Sequence, residues 1–316
     1  MSRYIEQAED IFKEVKKAVI GKDDCIYKLL ISILAKGHVL IDDIPGVGKT
    51  TLALAFSKAL DLKIGRIQFT PDVLPSDVIG FHMYQQDEQK FVYQPGPIMS
   101  NLFLADEINR TSPKTQSALL EVMEERGVTI DGHTMQVPEP FIVIATQNPV
   151  GSAGTQMLPE SQLDRFMISM TLGYPAFKDE IYMIKDRSKD NPLERINPVI
   201  DSAQLIRMQN QVDKVFIHNA VYEYITKLAV KTREHEMIQF GISPRGTLAL
   251  SRMAKSTAFI KKRDYVLPDD VVDIFDEVVR HRLVLQSKAK IDHLTKNDII
   301  NDILETVNKP TPKEKP

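Results

Sequence analysis

Through the first half of the chain, short β-rich apolar runs alternate with longer stretches whose apolar residues recur at helical spacing. The runs are His38–Ile41, Ile67–Phe69, Leu102–Ala105 and Phe141–Thr146. Two of them, Leu102-Phe103-Leu104-Ala105 and Phe141-Ile142-Val143-Ile144-Ala145, are apolar without interruption, as expected of strands covered on both faces. Such strands separated by helical stretches predict an α/β domain around a mostly parallel sheet flanked by helices. One helix is well punctuated: Ser112 suits the N-cap, Pro113 the first helical position and Gly127 the position just past the end, with Ala118, Leu119, Val122 and Met123 on one face. The Asp131-Gly132 dipeptide that follows, between Val128-Thr129-Ile130 and Thr134-Met135-Gln136-Val137, predicts a β-hairpin.

After Tyr174-Pro175 the strand pattern stops. Ser188-Lys189-Asp190-Asn191, Pro192 and Pro198 form a polar stretch that reads as a linker. Beyond it, Ala220, Val221, Tyr224, Ile225, Leu228 and Ala229 keep helical spacing, as do Val271, Val272, Ile274, Phe275, Val278 and Val279, which predicts a small all-α second domain. The expected organisation is an α/β core over 1–177, a linker over 178–198, a helical domain over 199–308 and a disordered tail over 309–316, whose three prolines and three lysines cannot build a core.

Composition narrows the function classes. The 316 residues favour two domains, and 43% apolar with 26% charged residues is ordinary globular composition. Forty basic against 43 acidic side chains give a net charge of −3, so no bulk field draws nucleic acid or anionic lipid, and either would need a local patch. Cys25 is the only cysteine, which excludes an internal disulfide and reads as a buried thiol in a reducing compartment. No run approaches the ~18 apolar residues of a spanning helix, and a cytoplasmic protein is expected. The seven histidines show no helical metal-ligand spacing, and His235-Glu236-Met237-Ile238-Gln239 has Gln239 where a metalloprotease helix needs its second histidine.

The chemistry lies elsewhere. Val39-Leu40-Ile41-Asp42-Asp43-Ile44-Pro45-Gly46-Val47-Gly48-Lys49-Thr50-Thr51 reads as a strand, a tight loop and the start of a helix. Such a loop turns successive backbone N–H groups toward a phosphate, aided by the positive helix end; Lys49 suits the β- and γ-phosphates and Thr50 a Mg²⁺ ion. Asp43 stands where the strict P-loop pattern has glycine. Asp106-Glu107 end the buried run Leu102–Ala105, at the strand edge where open α/β sheets bind ligands. Asp106 is suited to the Mg²⁺ shell and Glu107 to polarising a water for in-line attack. The run from Phe141 ends in Gln147-Asn148-Pro149, where the neutral amide of Asn148 suits contact with the γ-phosphate and that water.

Together with Val19-Ile20-Gly21, Ile108-Asn109-Arg110, Pro113–Glu121, Leu158-Pro159-Glu160, Leu163-Asp164-Arg165-Phe166 and Ser243-Pro244-Arg245, these motifs resemble an AAA+ ATPase, and more narrowly the MoxR family. The resemblance implies a P-loop core with a helical lid, ATP and Mg²⁺ as ligands, and a homo-oligomeric ring, usually a hexamer, with ATP between subunits. It places Ile20 and Gly21 beside the adenine and wraps Pro45, Gly46, Val47, Gly48, Lys49, Thr50 and Thr51 around the phosphates. Asp106 and Glu107 match the Walker B pair, Asn148 sensor 1, Arg245 sensor 2, and Arg165 the arginine finger that reaches a neighbour's site. It also implies an insert near Ile79–Gln94 that faces the substrate with the hairpin, and a chaperone-like role toward a protein client, often one with a von Willebrand factor A domain. Whether Arg245 serves its own subunit or the next stays open. Lys22, where the family has glutamine, and Asp43 depart from its pattern. A nucleic-acid motor and a nucleotide-gated scaffold with little hydrolysis remain as alternatives; the charge balance weighs against the first.

Overall fold

The computed structural model describes residues 2–87, 89–148, 156–187 and 190–310. Pro149 of the third strand-end motif, Ser188 and Lys189 of the expected linker, and 311–316 of the expected tail lie outside them. The core half runs α1 (Ser2–Lys16), α2 (Asp23–Leu34), β1 (Val39–Asp42), α3 (Lys49–Ala59), β2 (Ile64–Gln68), α4 (Pro75–Ile79), β3 (Gly80–Gln85), β4 (Lys90–Pro95), β5 (Leu102–Asp106), α5 (Pro113–Glu125), β6 (Gly127–Ile130), β7 (His133–Gln136), β8 (Ile142–Gln147), α6 (Glu160–Leu163), β9 (Ile168–Met170) and α7 (Phe177–Arg187). The second half runs α8 (Ser202–Asp213), α9 (Asn219–Glu234), β10 (Ile238–Phe240), α10 (Pro244–Ile260), α11 (Pro268–Val279), β11 (Val284–Leu285), α12 (Ser287–Ile291) and α13 (Lys296–Thr306).

Five parallel strands form the central sheet in the order β2-β5-β8-β1-β9. The uninterrupted apolar runs are covered on both faces as expected. Val39, Ile41, Leu102, Leu104, Ile142 and Ile144 face one apolar cluster, and Leu40, Phe103, Ala105, Val143 and Ala145 face the other. Each large side chain so buried contributes about 1.5–3 kcal/mol. From β1 the chain crosses to the β2 edge, yet β9 pairs on the opposite side of β1, so the strand order reverses at β1. A crevice opens at such a reversal, at the carboxyl ends of the strands. Register levels those ends, pairing Gln68 with Asp106 and Asp42 with Gln147.

Ser112 caps α5, accepting from Thr115 N at 3.3 Å. The helix ends differently from expectation. Arg126 takes the left-handed conformation (φ 52°), and Gly127 instead opens β6, where an added Cβ would press on the Thr134 side chain at 3.0 Å. The hairpin β6–β7 turns on Asp131 (φ 52°) and Gly132 (φ 78°), the two positive φ values of a type I′ turn. A second hairpin, β3–β4, occupies the expected insert and exposes Phe81, Met83, Tyr84 and Phe91. His82 on β3 meets Asp131 at 2.8 Å and ties the two hairpins together.

Two further differences lie beyond β9. Phe177–Arg187, nearly all within the stretch read as linker, is helical: Phe177, Ile181 and Ile184 keep helical spacing, but all are exposed, so their pattern marks a surface rather than a core. Among its described residues the lid is helical except for one antiparallel ladder, β10 with β11, and an isolated parallel bridge between Phe216 and Tyr265. Ile238 pairs with Leu285 and Phe240 with Val284 across an irregular register, and Gly241 then passes against the backbone of Thr232, where a Cβ would meet its carbonyl oxygen at 2.5 Å.

His38 is buried beneath the sheet. Its Nδ1 accepts from Val143 N at 2.9 Å and its Nε2 donates to Met123 O at 3.2 Å, an arrangement only the neutral ring satisfies. Burial pushes its pKa from 6.5 down to about 4, and burial lowers that of His281 as well. Between pH 6.5 and 4 such a ring takes up a proton only when the chain unfolds. The contribution of His38 to stability is therefore complete above pH 6.5 and is lost as the pH falls toward 4, by up to about 1.4 kcal/mol per pH unit. Urea midpoints measured across this range are expected to fall less steeply for His38→Gln than for the parent chain; parallel slopes would count against His38 as a source.

Candidate functional site

Nine of the expected site residues line one cavity of about 310 Å³ at the carboxyl rim: Pro45, Gly46, Gly48, Lys49, Thr50, Thr51, Asp106, Glu107 and Asn148. The loop after β1 requires its glycines for backbone reasons. Gly46 and Gly48 have φ of 85° and 97°, and an added Cβ would point into open space, so the loop is an uncluttered cradle. Gly48 N-caps α3, whose first turn carries Lys49, Thr50 and Thr51. Val47 packs its side chain against the core instead.

Lys49 Nζ donates to Asp43 O at 2.5 Å, Gln147 O at 3.0 Å and Asn148 Oδ1 at 3.1 Å. Burial lowers its pKa, opposed by the surrounding carboxylates of Asp43, Asp42, Asp106 and Glu107. Asp106 accepts from Thr50 Oγ1 at 3.3 Å and from Thr146 Oγ1 at 3.1 Å. Glu107 sits in the left-handed region (φ 57°), a conformation that costs on the order of 1 kcal/mol and concentrates at functional sites. Its carboxylate accepts from Asn148 Nδ2 at 2.9 Å and Arg110 NH1 at 2.7 Å. Burial pushes its pKa up, but hydrogen bonds from Asn148, Arg110 and Gln68 together outweigh that and hold it below the usual carboxylate range. The carboxylate is thus ionised at neutral pH and can accept a proton.

The other expected residues lie apart. Ile20 and Gly21 stand in the turn between α1 and α2; Gly21 packs so closely on Asp179 of α7 that a Cβ would meet its Oδ2 at 2.3 Å. Arg165 and Arg245 line a different cavity, of about 470 Å³, and both pair with Glu124. Cys25 is buried, where desolvation raises the thiol pKa.

Several contacts had no assigned role in the sequence. Arg66 of β2 reaches Asp106 Oδ2 through Nε at 3.0 Å and NH2 at 2.8 Å, and no local pattern in the sequence marks it. Thr146 braces both acids, donating to Asp106 and accepting from Glu107 N at 2.9 Å. Arg282 from the lid is almost wholly buried and holds the segment around Arg165, donating to Asp164 Oδ1 at 2.7 Å, Phe166 O at 2.5 Å and Met167 O at 3.2 Å.

The departures at Lys22 and Asp43 have one explanation. Asp43 accepts from Leu172 N and Gly173 N, both at 2.6 Å, while Lys22 Nζ donates to Leu172 O at 2.6 Å, Gly173 O at 3.0 Å and Tyr174 O at 2.8 Å. Acid and base clamp the turn after β9 from opposite sides. Replacing Asp43 by glycine, which restores the P-loop pattern, is expected to strip two amides of their acceptor and destabilise the chain by ~2 kcal/mol or more. Thermal unfolding of Asp43→Gly checks this, and an unchanged midpoint would remove the clamp from the account.

A model of the ATPase family associated with various cellular activities (AAA) matches residues 38–168, and a model of an AAA lid domain matches residues 230–303. The chain is 46% identical to an uncharacterised protein, YeaC, of Bacillus subtilis over 94% of this chain and 93% of that one. It is 40% identical to the chaperone MoxR1 of Mycobacterium tuberculosis over 94% of this chain and 81% of that one. A solved structure from Cytophaga hutchinsonii, described as a candidate ATPase, superposes with a TM-score of 0.91 at 38% identity, covering 98% of this chain and 96% of that one. With a parallel sheet, a P-loop cavity at its rim and a lid behind it, the chain belongs to the MoxR family of AAA+ ATPases.

Proposed function

We propose that the protein is a Mg²⁺-dependent ATPase that works as a homo-oligomeric ring, a hexamer, and uses ATP binding and hydrolysis to remodel or mature a protein complex. The observation that carries this reading is the convergence of Lys49, Thr50, Asp106, Glu107 and Asn148 on one cavity at the sheet rim. The backbone of Gly46–Thr51 would hold the phosphates of ATP with Lys49 on the outer two, and Ile20 with Gly21 would flank the adenine. Thr50 and Asp106 would hold Mg²⁺, which neutralises phosphate charge when bound. Nothing at these positions needs to be created; Arg66 has only to release Asp106.

Glu107 takes the proton of the attacking water, and Asn148, bonded to both Glu107 and Lys49, fixes where that water stands. Arg165 and Arg245 act on the neighbouring subunit's γ-phosphate. Their shared partner Glu124, and a cavity that contains no residue of the phosphate loop, support a trans role for both. A lone subunit then lacks cations that its own site needs.

The exposed apolar tip of β3–β4, tied to β6–β7 through His82 and Asp131, suits contact with a protein client. The chaperone name of the Mycobacterium relative supports such a client, and the family resemblance points to one with a von Willebrand factor A domain. No helix among the described residues is long and apolar enough to cross a membrane, and we place the protein in the cytoplasm. The test is hydrolysis per subunit against protein concentration in ATP and Mg²⁺. It is expected to rise as rings form, and a constant specific rate across the assembly range would overturn the ring-dependent reading.

A further inference from the structure

The 470 Å³ cavity is strongly basic, and its arginines are not equivalent. Arg282 is buried and occupied by Asp164 and backbone carbonyls. Arg126 and Arg252 line the wall and make no ion pair among the described residues. Arg165 and Arg245 are held together: Arg165 NH1 meets Glu124 Oε2, and Arg245 NH2 meets Glu124 Oε1. One carboxylate therefore bridges two guanidiniums, one from the core segment after α6 and the other from the first turn of the lid helix α10.

Two cations at this spacing repel, and the carboxylate between them makes the pairing tolerable. Both are also braced. Arg165 NH1 donates to Leu120 O at 2.8 Å, while the Ser243 cap that begins the turn of Arg245 donates to Asp164 Oδ2 at 2.7 Å. Arg165 Nε is buried with no acceptor among the described residues. A flat oxyanion whose oxygens are divided between two guanidiniums offers the same contacts as a terminal phosphoryl group. Glu124 lies in the last turn of α5 with 38% of its side chain exposed, so it has room to leave.

We infer that Glu124 is an internal placeholder for the neighbour's γ-phosphate: it keeps Arg165 and Arg245 assembled as a pair in the lone subunit and is displaced when a triphosphate from the adjoining subunit enters the cavity. The inference rests on the trans reading of the two arginines. It gives Glu124 a role opposite to that of a supporting strut. While it stays, the acceptor positions of both guanidiniums are occupied and half of their charge is cancelled, which weakens the hold on stray polyanions; when it leaves, two positioned cations are delivered together.

The test uses inorganic tripolyphosphate as the probe and the full chain carrying Lys49→Ala, which cripples the subunit's own phosphate loop. Adding Glu124→Gln, which keeps the shape and removes the charge, is expected to tighten tripolyphosphate binding by roughly tenfold or more, as for removal of a competing charged partner. Glu124→Ala should act in the same direction, and adding Arg165→Ala should abolish the gain. Unchanged or weaker binding in both Glu124 variants, with the thermal midpoint preserved, would overturn the placeholder. The trans reading is judged separately by mixing Lys49→Ala with Arg165→Ala subunits: recovered hydrolysis alongside unchanged tripolyphosphate binding removes the placeholder alone, whereas no recovery removes both.

Discussion

Replacing Glu107 by glutamine is expected to slow ATP hydrolysis by about 10²–10⁴-fold while leaving ATP bound, because the substitution removes a proton acceptor and leaves the phosphate cradle intact. Lys49, Thr50 and the two loop glycines are untouched by the change, and Asp106 keeps its bonds to Thr50 and Thr146. The new amide meets a conflict, since Glu107 now accepts from Asn148 on one oxygen and Arg110 on the other. A glutamine can accept on one side only, and Asn148 cannot simply turn over because its Oδ1 is engaged by Lys49. The loss therefore includes misplacement of the water as well as loss of the base. Single-turnover hydrolysis and retention of labelled ATP measure the two parts. Turnover at the parental rate would remove Glu107 as the base.

Arg110 separates these contributions. Its bond and charge help hold the Glu107 carboxyl low. Arg110→Ala is expected to raise that pKa and move the acid limb of the hydrolysis profile to higher pH. The sign follows from the base being active only when ionised. Near neutral pH, where the carboxylate stays ionised either way, the rate should change far less than in Glu107→Gln.

The parts of this site that were legible in sequence are those made by neighbours along the chain. Gly46 and Gly48 set a loop, Ser112 and Pro113 start a helix, and Asp131-Gly132 turns a hairpin, each through local backbone chemistry. Asp106 and Glu107 were legible because a buried strand must end at a rim, and parallel strands end at the same one. What sequence withheld depends on pairing across the chain. Asp43 looked like a defect in a motif until Leu172 and Gly173 were found on its carboxylate. Arg66, Glu124 and Arg282 carry no local signature, since an isolated charge is most often a solvated one. The helix at Phe177–Arg187 shows the converse: its spacing was readable, but the exposed apolar residues serve no core, and the end of the strand pattern at Tyr174-Pro175 with the polar, proline-bearing stretch from Ser188 suggested a linker.

Mixing inactive subunits is expected to restore hydrolysis that neither has alone, and the pattern of restoration assigns each arginine. Lys49→Ala disables a subunit's own phosphate loop but leaves Arg165 and Arg245 intact; Arg165→Ala has an intact loop and lacks the cation offered to its neighbour. Alone, the arginine variant should lose roughly 10³–10⁵ in rate, the range for trans-acting arginines in other phosphoryl-transfer systems. In a randomly mixed ring, about one interface in four joins an intact loop to an intact arginine, so activity near a quarter of the parent's is expected. Lys49→Ala mixed with Arg245→Ala is the sharper comparison. If Arg245 served its own subunit, each partner would carry a defect in its own site and no mixture would recover. Its ion pair with Glu124, shared with Arg165, predicts that this mixture recovers as the first does. Recovery with Arg165→Ala but none with Arg245→Ala would leave the finger in trans and return Arg245 to its own subunit, by a lid movement that breaks its bond to Glu124.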